Sequence, residues 1–131
     1  MSEREPLPHA RRILLVDDDP GVRRLVATCL RRGGFEVVET ENSTAALQSW
    51  DEHAGAFGLL FTDMNMPDGM SGLELTEHLR RLDPHLPIVL ASGFSDGLEG
   101  SALPSRVSFL PKPSGPAQLL DTVRSALGLN S

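Results

Sequence analysis

The chain has 131 residues and a formal net charge of −6. This length predicts one domain with one hydrophobic core, and the acidic balance argues against general binding to nucleic acid or to an anionic membrane surface. The single cysteine, Cys29, excludes an intrachain disulfide, which fits a reducing cytoplasm, and no apolar run approaches the length of a membrane span.

The first part of the chain predicts a leader, two strands and the helix between them. Residues 1–10 are polar and contain two prolines, which predicts a disordered leader. The apolar run 13–16 predicts the first strand, and Asp19-Pro20 predicts the start of a helix, with Asp19 as its cap. Gly33 stops this helix, and residues 35–39 predict the second strand. The predicted buried face of the helix consists of Val22, Leu25, Val26, Cys29 and Leu30.

The central part predicts a buried strand between two helices. Asn42 and Ser43 predict the cap of the second helix, and the apolar segment 56–62 predicts a strand that ends at a carboxylate, Asp63. Ser71 and Glu74 have the spacing of a capping box at the start of a third helix. Its predicted buried stripe is Leu75, Leu79 and Leu82.

The last part predicts two more strands and a final helix. Residues 87–92 predict a buried strand that ends at Ser92, residues 106–110 predict the fifth strand, and Pro116 opens the last helix. The segment 96–105 contains two glycines and a proline. We therefore expect a helix there to be short or frayed.

Strand and helix alternate about five times, which predicts right-handed crossovers and a parallel sheet covered on both faces. The pattern fits an α/β, flavodoxin-like (βα)5 fold, doubly wound, with five parallel strands in the order 2-1-3-4-5. We expect the domain to occupy residues 11–128, with 129–131 as a tail. Ligands of such sheets bind at the switch point between the first and third strands.

Acidic side chains follow the two strands that flank this switch point. Asp17 and Asp18 come after the first strand and Asp63 ends the third. Carboxylates about 5 Å apart repel by roughly 3 kcal/mol per pair at an effective dielectric constant of about 20. Either one acid stays protonated or a divalent cation occupies the site, and all-oxygen ligands suit Mg²⁺, Mn²⁺ or Ca²⁺ better than zinc.

Two further polar residues end the fourth and fifth strands. Ser92 precedes a glycine, so its hydroxyl could donate to a phosphoryl oxygen, although Ser-Gly is also an ordinary turn pair. Lys112 is the only lysine in the chain and lies between two prolines. It could reach a carboxylate or a phosphate, or it could be a surface residue in a turn.

The joint pattern resembles the receiver domain of two-component response regulators over residues 11–128. The resemblance rests on four segments in the family's order and approximate spacing: ILLVDDDP at 13–20, DMNMP at 63–67, LASG at 90–93 and FLPKP at 109–113. The loop 67–72 is one residue longer than the corresponding loop of common receiver domains. In this respect the chain resembles the receivers of hybrid histidine kinases.

The resemblance implies a role for each matching residue. Asp63 would be the phosphoacceptor, Asp18 a direct ligand of Mg²⁺ and Asp17 a ligand through water, with Mn²⁺ able to substitute for Mg²⁺. The backbone carbonyl of Asn65 would complete the protein ligands.

The family's other roles fall on the ends of the fourth and fifth strands. Ser92 and Lys112 would hold the phosphoryl oxygens. Ser92 and Phe109 would form the switch, the alternative for Phe109 being a permanent core residue. Phe94 is a candidate shield of the phosphoaspartate.

The resemblance also implies the partners. The phosphodonor would be a sensor histidine kinase or a histidine phosphotransfer protein. The output would be a contact with another protein. No DNA-binding output domain is expected, and neither nucleic acid nor a membrane is expected as a partner. Such a domain is expected to catalyse only its own phosphorylation and dephosphorylation, either as a stand-alone protein or as part of a hybrid kinase.

Two other readings stay open at this point. A magnesium-dependent phosphatase of the haloacid-dehalogenase type also uses an aspartyl nucleophile after its first strand. The residues after Asp17 and Asp19 do not continue its motif, and the length leaves no room for a cap domain. The other reading is a pseudo-receiver that only binds partners, against which the presence of every site residue argues.

Overall fold

The computed structural model describes residues 11–66, 69–92, 106–112 and 114–129. The strands are β1 (Arg12–Val16), β2 (Glu36–Thr40), β3 (Leu59–Asp63), β4 (Ile88–Ser92) and β5 (Val107–Pro111). The helices are α1 (Pro20–Arg32), α2 (Ser43–Glu52), α3 (Gly72–Leu82) and α4 (Pro116–Ala126). The predicted leader, the weak helix at 96–105 and Phe94 lie outside the described residues.

The five strands form one parallel sheet in the order β2-β1-β3-β4-β5, which confirms the predicted doubly wound topology. The register aligns the ends of the strands. Val16 pairs with Thr62, Asp63 with Ala91, and Ser92 with Pro111. The residues that follow these pairs therefore emerge at the same edge of the sheet.

Alternate residues of each strand enter two cores, one on each face of the sheet. Along β1, Ile13 and Leu15 pack with α1 and α4, whereas Leu14 and Val16 pack with α2 and α3. Cys29 is half-buried against the first of these cores, as expected for a packing residue. Helices on both faces thus bury the sheet. The carboxyl ends of the strands form the edge at which ligands of such sheets bind.

Local signals set the helix starts as predicted. The Asp19 carboxylate accepts hydrogen bonds from the amides of Gly21 and Val22 at the start of α1. Ser71 and Glu74 form the predicted capping box of α3, with bonds of 3.1 and 3.0 Å.

Two leucines predicted on buried faces are exposed. Leu25 is 65% exposed because the buried stripe of α1 contains Val26, Ala27 and Leu30. Val26 and Leu30 lie about 100° and about 140° from Leu25 around the helix. Leu82 is 55% exposed because it is the last residue of α3. Leu86, after the turn, packs in the core with Leu79 instead.

Candidate functional site

Three carboxylates meet at the carboxyl ends of β1 and β3. Asp17, Asp18 and Asp63 each offer one oxygen, and these oxygens all lie within 4.8 Å of one another. Asp17 and Asp63 are 4% and 7% exposed, and Asp18 is exposed. The predicted clustering of the three acids is therefore present.

The Asp17 side chain is held by the turn that starts α1. Its Oδ1 accepts a 2.9 Å hydrogen bond from the Asp19 amide, and the Arg23 guanidinium donates to its main-chain oxygen at 2.8 Å. The amide of Asp17 in turn donates to the Thr40 carbonyl on β2. The carboxylate cannot leave the cluster without losing its hydrogen bond from the Asp19 amide.

Asp17 carries the clearest electrostatic strain in the cluster. Burial raises the pKa of Asp17 above its ordinary 3.8, and the negative charges of Asp63 and Asp18 add to the rise. The hydrogen bond from the Asp19 amide and the positive charge of Lys112 oppose the rise without cancelling it. The cluster holds more negative charge than its surroundings neutralise.

Lys112 supplies one positive charge to this cluster. Its Nζ lies 2.8 Å from Asp63 Oδ1, and its amide donates to the Ser92 carbonyl at 2.8 Å, which extends the pairing of β4 and β5. Burial alone would lower the pKa of Lys112, but the hydrogen bond to Asp63 and the charges of Asp63, Asp17 and Asp18 outweigh it and raise the pKa. Lys112 thus contacts the acid cluster, and its role in holding phosphoryl oxygens stays a prediction.

Ser92 and Phe109 lie on neighbouring strands in different surroundings. Ser92 is 1% exposed, and its hydroxyl donates to the Met64 sulfur at 3.6 Å. Phe109 is 37% exposed, so the interpretation as a permanent core residue is wrong. Its role in a switch stays a prediction.

The loop after Asp63 is tied to the strand that it leaves. The Gly72 amide donates to the Met64 carbonyl at 2.8 Å, and Gly72 lies so close to Asp63 that a Cβ would overlap its carbonyl oxygen. Asn65 is exposed in this loop, two residues after Asp63. Its carbonyl as a metal ligand stays a prediction.

Three residues around the site were not predicted from the sequence. Met64 contacts Ser92, Gly72 supports the Asp63 backbone, and Ser43 accepts a hydrogen bond from the amide of Met70. Only Gly72 had a signal in the sequence. A glycine in the first turn of a helix is unfavourable unless a close approach of the backbone requires it.

The donor set fits a hard divalent cation. It consists of carboxylate oxygens and offers neither nitrogen nor sulfur, which suits Mg²⁺ or Mn²⁺. Three carboxylates face a single ammonium, and burial together with the charges of Asp63 and Asp18 raises the pKa of Asp17. A divalent cation at this edge would neutralise the excess negative charge.

Three comparisons describe what the chain is similar to. The family model of the response regulator receiver domain matches residues 13–124. The response regulator protein FleR of Pseudomonas aeruginosa is 38% identical over 122 residues, which cover 91% of this chain and 25% of FleR. The chain thus spans about a quarter of that relative.

Solved structures show the same relationship. A response regulator receiver protein from Sinorhizobium medicae WSM419 superposes with a TM-score of 0.80 at 27% identity, covering 89% of this chain and 94% of the other. The receiver domain of the hybrid histidine kinase CckA superposes with a TM-score of 0.75 at 33% identity, covering 88% and 98%. Within the described residues, no helix is long and apolar enough to cross a membrane.

Proposed function

This chain belongs to the response regulator receiver domain family, and from that premise we propose that it accepts a phosphoryl group on Asp63 in a two-component (His-Asp) phosphorelay. One observation carries the proposal. Asp63 shares a site with Asp17 and Asp18 while its Oδ1 contacts the ammonium of Lys112 at 2.8 Å. These four groups follow the ends of β1, β3 and β5, which the strand order β2-β1-β3-β4-β5 places at one edge of the sheet.

Asp63 is the nucleophile of the proposed reaction. One of its carboxylate oxygens bonds to phosphorus while the bond between phosphorus and the imidazole nitrogen of a phosphohistidine breaks, and the imidazole leaves with the electron pair. The carboxylate must be ionised for this attack, and its Oδ1 lies 2.8 Å from the Lys112 ammonium.

The neighbouring acids hold Mg²⁺ in this proposal. Asp18 and Asp63 would be direct ligands, Asp17 would act through a water molecule, and the Asn65 carbonyl would complete the protein ligands. A small divalent cation retains several waters, so an outer-sphere role for the buried Asp17 is reasonable. When bound, Mg²⁺ neutralises negative charge on the acids and on the transferring phosphoryl group.

Ser92 and Lys112 hold the remaining phosphoryl oxygens. Lys112 already contacts the oxygen of Asp63, and a small shift of its ammonium would reach a phosphoryl oxygen. Ser92 is the last residue of β4 and pairs with Pro111 of β5, and its hydroxyl donates to the Met64 thioether. Sulfur is a weak acceptor, so a charged phosphoryl oxygen would be a stronger partner for that hydroxyl.

The phosphodonor is a sensor histidine kinase or a histidine phosphotransfer protein, and the signal passes onward by contact with another protein. Phosphorylation would draw Ser92 toward the phosphoryl group, and Phe109 would move inward behind it. The exposure of Phe109 supports this step, because a side chain already in the core could not move further inward.

Intact-mass measurement tests the proposal. The protein is incubated with Mg²⁺ and acetyl phosphate, and we expect one labile adduct with the mass of a phosphoryl group. Asp63→Asn should abolish the adduct, whereas Asp51→Asn, which changes an exposed acid on α2, should keep it.

Other outcomes favour other functions. Release of phosphate from many phosphomonoesters without an adduct would favour a phosphatase. A folded wild-type protein with neither an adduct nor Mg²⁺ binding would favour a pseudo-receiver.

A further inference from the structure

The loop between Asp63 and α3 is attached to α2 by one hydrogen bond. The Met70 amide donates to Ser43 Oγ at 3.0 Å across 27 residues of chain. Ser43 is the first residue of α2 and is 2% exposed. Its hydroxyl is therefore shielded from water and directed at the loop.

The hydroxyl of Ser43 is not occupied by capping its own helix. Asn42 is the N-cap of α2, and its side chain accepts from the Ala45 amide at 2.8 Å. A serine immediately after a working cap has no need to satisfy the helix start. Its oxygen serves the loop instead.

The loop is shaped to reach this hydroxyl. Gly69 has a φ of +78°, a conformation that favours glycine, and a Cβ on it would lie 3.1 Å from Ser43 Oγ. A side chain at this position would thus be strained and would crowd the hydroxyl. Both partners thus favour the contact: Ser43 on α2 offers its hydroxyl, and Gly69 lets the loop approach that hydroxyl.

The two ends of the loop are also fixed. At one end Met64 follows Asp63 directly, its amide donating to the Ala91 carbonyl at 2.9 Å. At the other end Gly72 packs on the Asp63 backbone and donates to the Met64 carbonyl. Ser43 supplies a third fixed point, on the part of the loop that faces α2.

On the basis of the proposed function, we propose that Ser43 is a positioning residue for metal binding. Through Met70 it would restrain the chain that follows Asn65, whose carbonyl is a metal ligand under the proposed function. Ser43 does not touch the metal or the phosphoryl group. Its loss would leave the carboxylates in place and loosen only the loop.

Hydrogen exchange of the metal-free protein tests the contact itself. In Ser43→Ala the Met70 amide should exchange about two- to tenfold faster than in the wild type, the range expected for the net loss of one hydrogen bond. Ser43→Thr, which keeps the hydroxyl, should restore slow exchange. Thr44→Ala, the matched change at the next and exposed residue, should leave Met70 unchanged.

Mg²⁺ titration of the same variants tests the consequence. The Kd for Mg²⁺ should rise about two- to tenfold in Ser43→Ala, return toward the wild-type value in Ser43→Thr and stay unchanged in Thr44→Ala. Val123→Ala is a second control, since it removes core volume on the opposite face of the sheet and should lower stability without changing the Kd. If Ser43→Ala fails to fold, Gly69→Ala disturbs the same contact from the loop side and should give the same two results.

The outcomes separate this inference from the function on which it rests. An unchanged Kd in Ser43→Ala, with normal Mg²⁺ binding and phosphorylation of the wild type, overturns only the role of Ser43. An equal loss of affinity in Thr44→Ala or Val123→Ala does the same. A wild-type protein that binds no Mg²⁺ and forms no adduct overturns both.

Discussion

The ammonium nitrogen of Lys112 lies 2.8 Å from Oδ1 of Asp63, although 49 positions of chain separate the two residues. The contact exists because β5 and β3 both pair with β4, which aligns their carboxyl ends. In the unphosphorylated protein the ammonium therefore neutralises part of an acidic cluster, and after phosphorylation the same group would serve the phosphoryl oxygens.

Lys112→Met should destabilise the metal-free protein by about 1–2 kcal/mol. A fully buried pair that loses one partner typically costs about 3–5 kcal/mol, but the side chain of Lys112 is 34% exposed and water compensates part of the loss. Urea unfolding measures this change. Mg²⁺ should stabilise the variant more than it stabilises the wild type, because one competing positive charge has been removed.

Arg32→Met is a suitable control, since it removes an exposed cation from the end of α1. It should change the free energy of unfolding by less than about 0.5 kcal/mol. Equal stability of Lys112→Met and Arg32→Met would contradict the importance of the ion pair.

The raised pKa of Asp17 predicts how pH acts on metal binding. A proton competes for Asp17 at a higher pH than for an ordinary aspartate, so the Mg²⁺ affinity should fall earlier as the pH is lowered. Calorimetric titration with Mg²⁺ over a series of pH values measures the midpoint. An Mg²⁺ affinity that falls only at the pH expected for an ordinary aspartate would contradict the raised pKa of Asp17.

The same shift has a consequence for the metal-free protein. A group whose pKa is raised by folding contributes stability below its unfolded pKa, and this contribution is lost as the pH rises through the folded pKa. Asp17→Asn should therefore stabilise the metal-free protein at neutral pH, because the amide oxygen can still accept from Asp19 without carrying charge. It should also raise the Kd for Mg²⁺ about tenfold or more, equivalent to about 1.4 kcal/mol. Lower stability of this variant at neutral pH would contradict the assigned repulsion.

Local signals in the sequence were sufficient for the helix starts and for the membership of the acid cluster. Asp19 caps α1 and the Ser71–Glu74 pair caps α3 because these bonds span only two or three residues. Asp63 and Lys112 were placed together because parallel strands align their carboxyl ends once their order is known.

Contacts between distant segments were not predictable in the same way. Helical periodicity placed Leu25 on the predicted buried face of α1, but Leu25 is exposed. Periodicity shows that a helix has an apolar face, but it does not show which of its apolar residues the rest of the protein covers. The hydrogen bond between Met70 and Ser43 joins two segments that are 27 positions apart, and the sequence of neither segment indicates that they are in contact. Such contacts depend on how α2 and the loop meet in three dimensions.

Gly72→Ala tests the support of the Asp63 backbone. A Cβ at this position would overlap the Asp63 carbonyl oxygen and lie 2.7 Å from Met64 Cα, and neither backbone atom can rotate away. The variant should lose about 2–3 kcal/mol of unfolding free energy, as expected for overpacking, and should bind Mg²⁺ more weakly. Gly21→Ala is the matched control, because a Cβ in the first turn of α1 would meet only Asp19 Oδ1 at 3.5 Å, an ordinary contact, and the stability should not fall. Similar values for the two variants would contradict the close approach.

Phe109 and Leu110 are adjacent on β5 and point to opposite sides of the sheet, which allows a direct comparison of their contributions. Leu110 is 2% exposed and Phe109 is 37% exposed. Leu110→Ala should therefore cost about 2–4 kcal/mol of unfolding free energy, whereas Phe109→Ala should cost less than about 1 kcal/mol in the unphosphorylated protein. If Phe109 moves inward after phosphorylation, Phe109→Ala should lower the stability of the phosphorylated protein more than that of the unphosphorylated protein. Urea unfolding at constant temperature, with Mg²⁺ and acetyl phosphate present to maintain the phosphorylated form, gives this difference, and an equal loss in the two forms would contradict the inward movement.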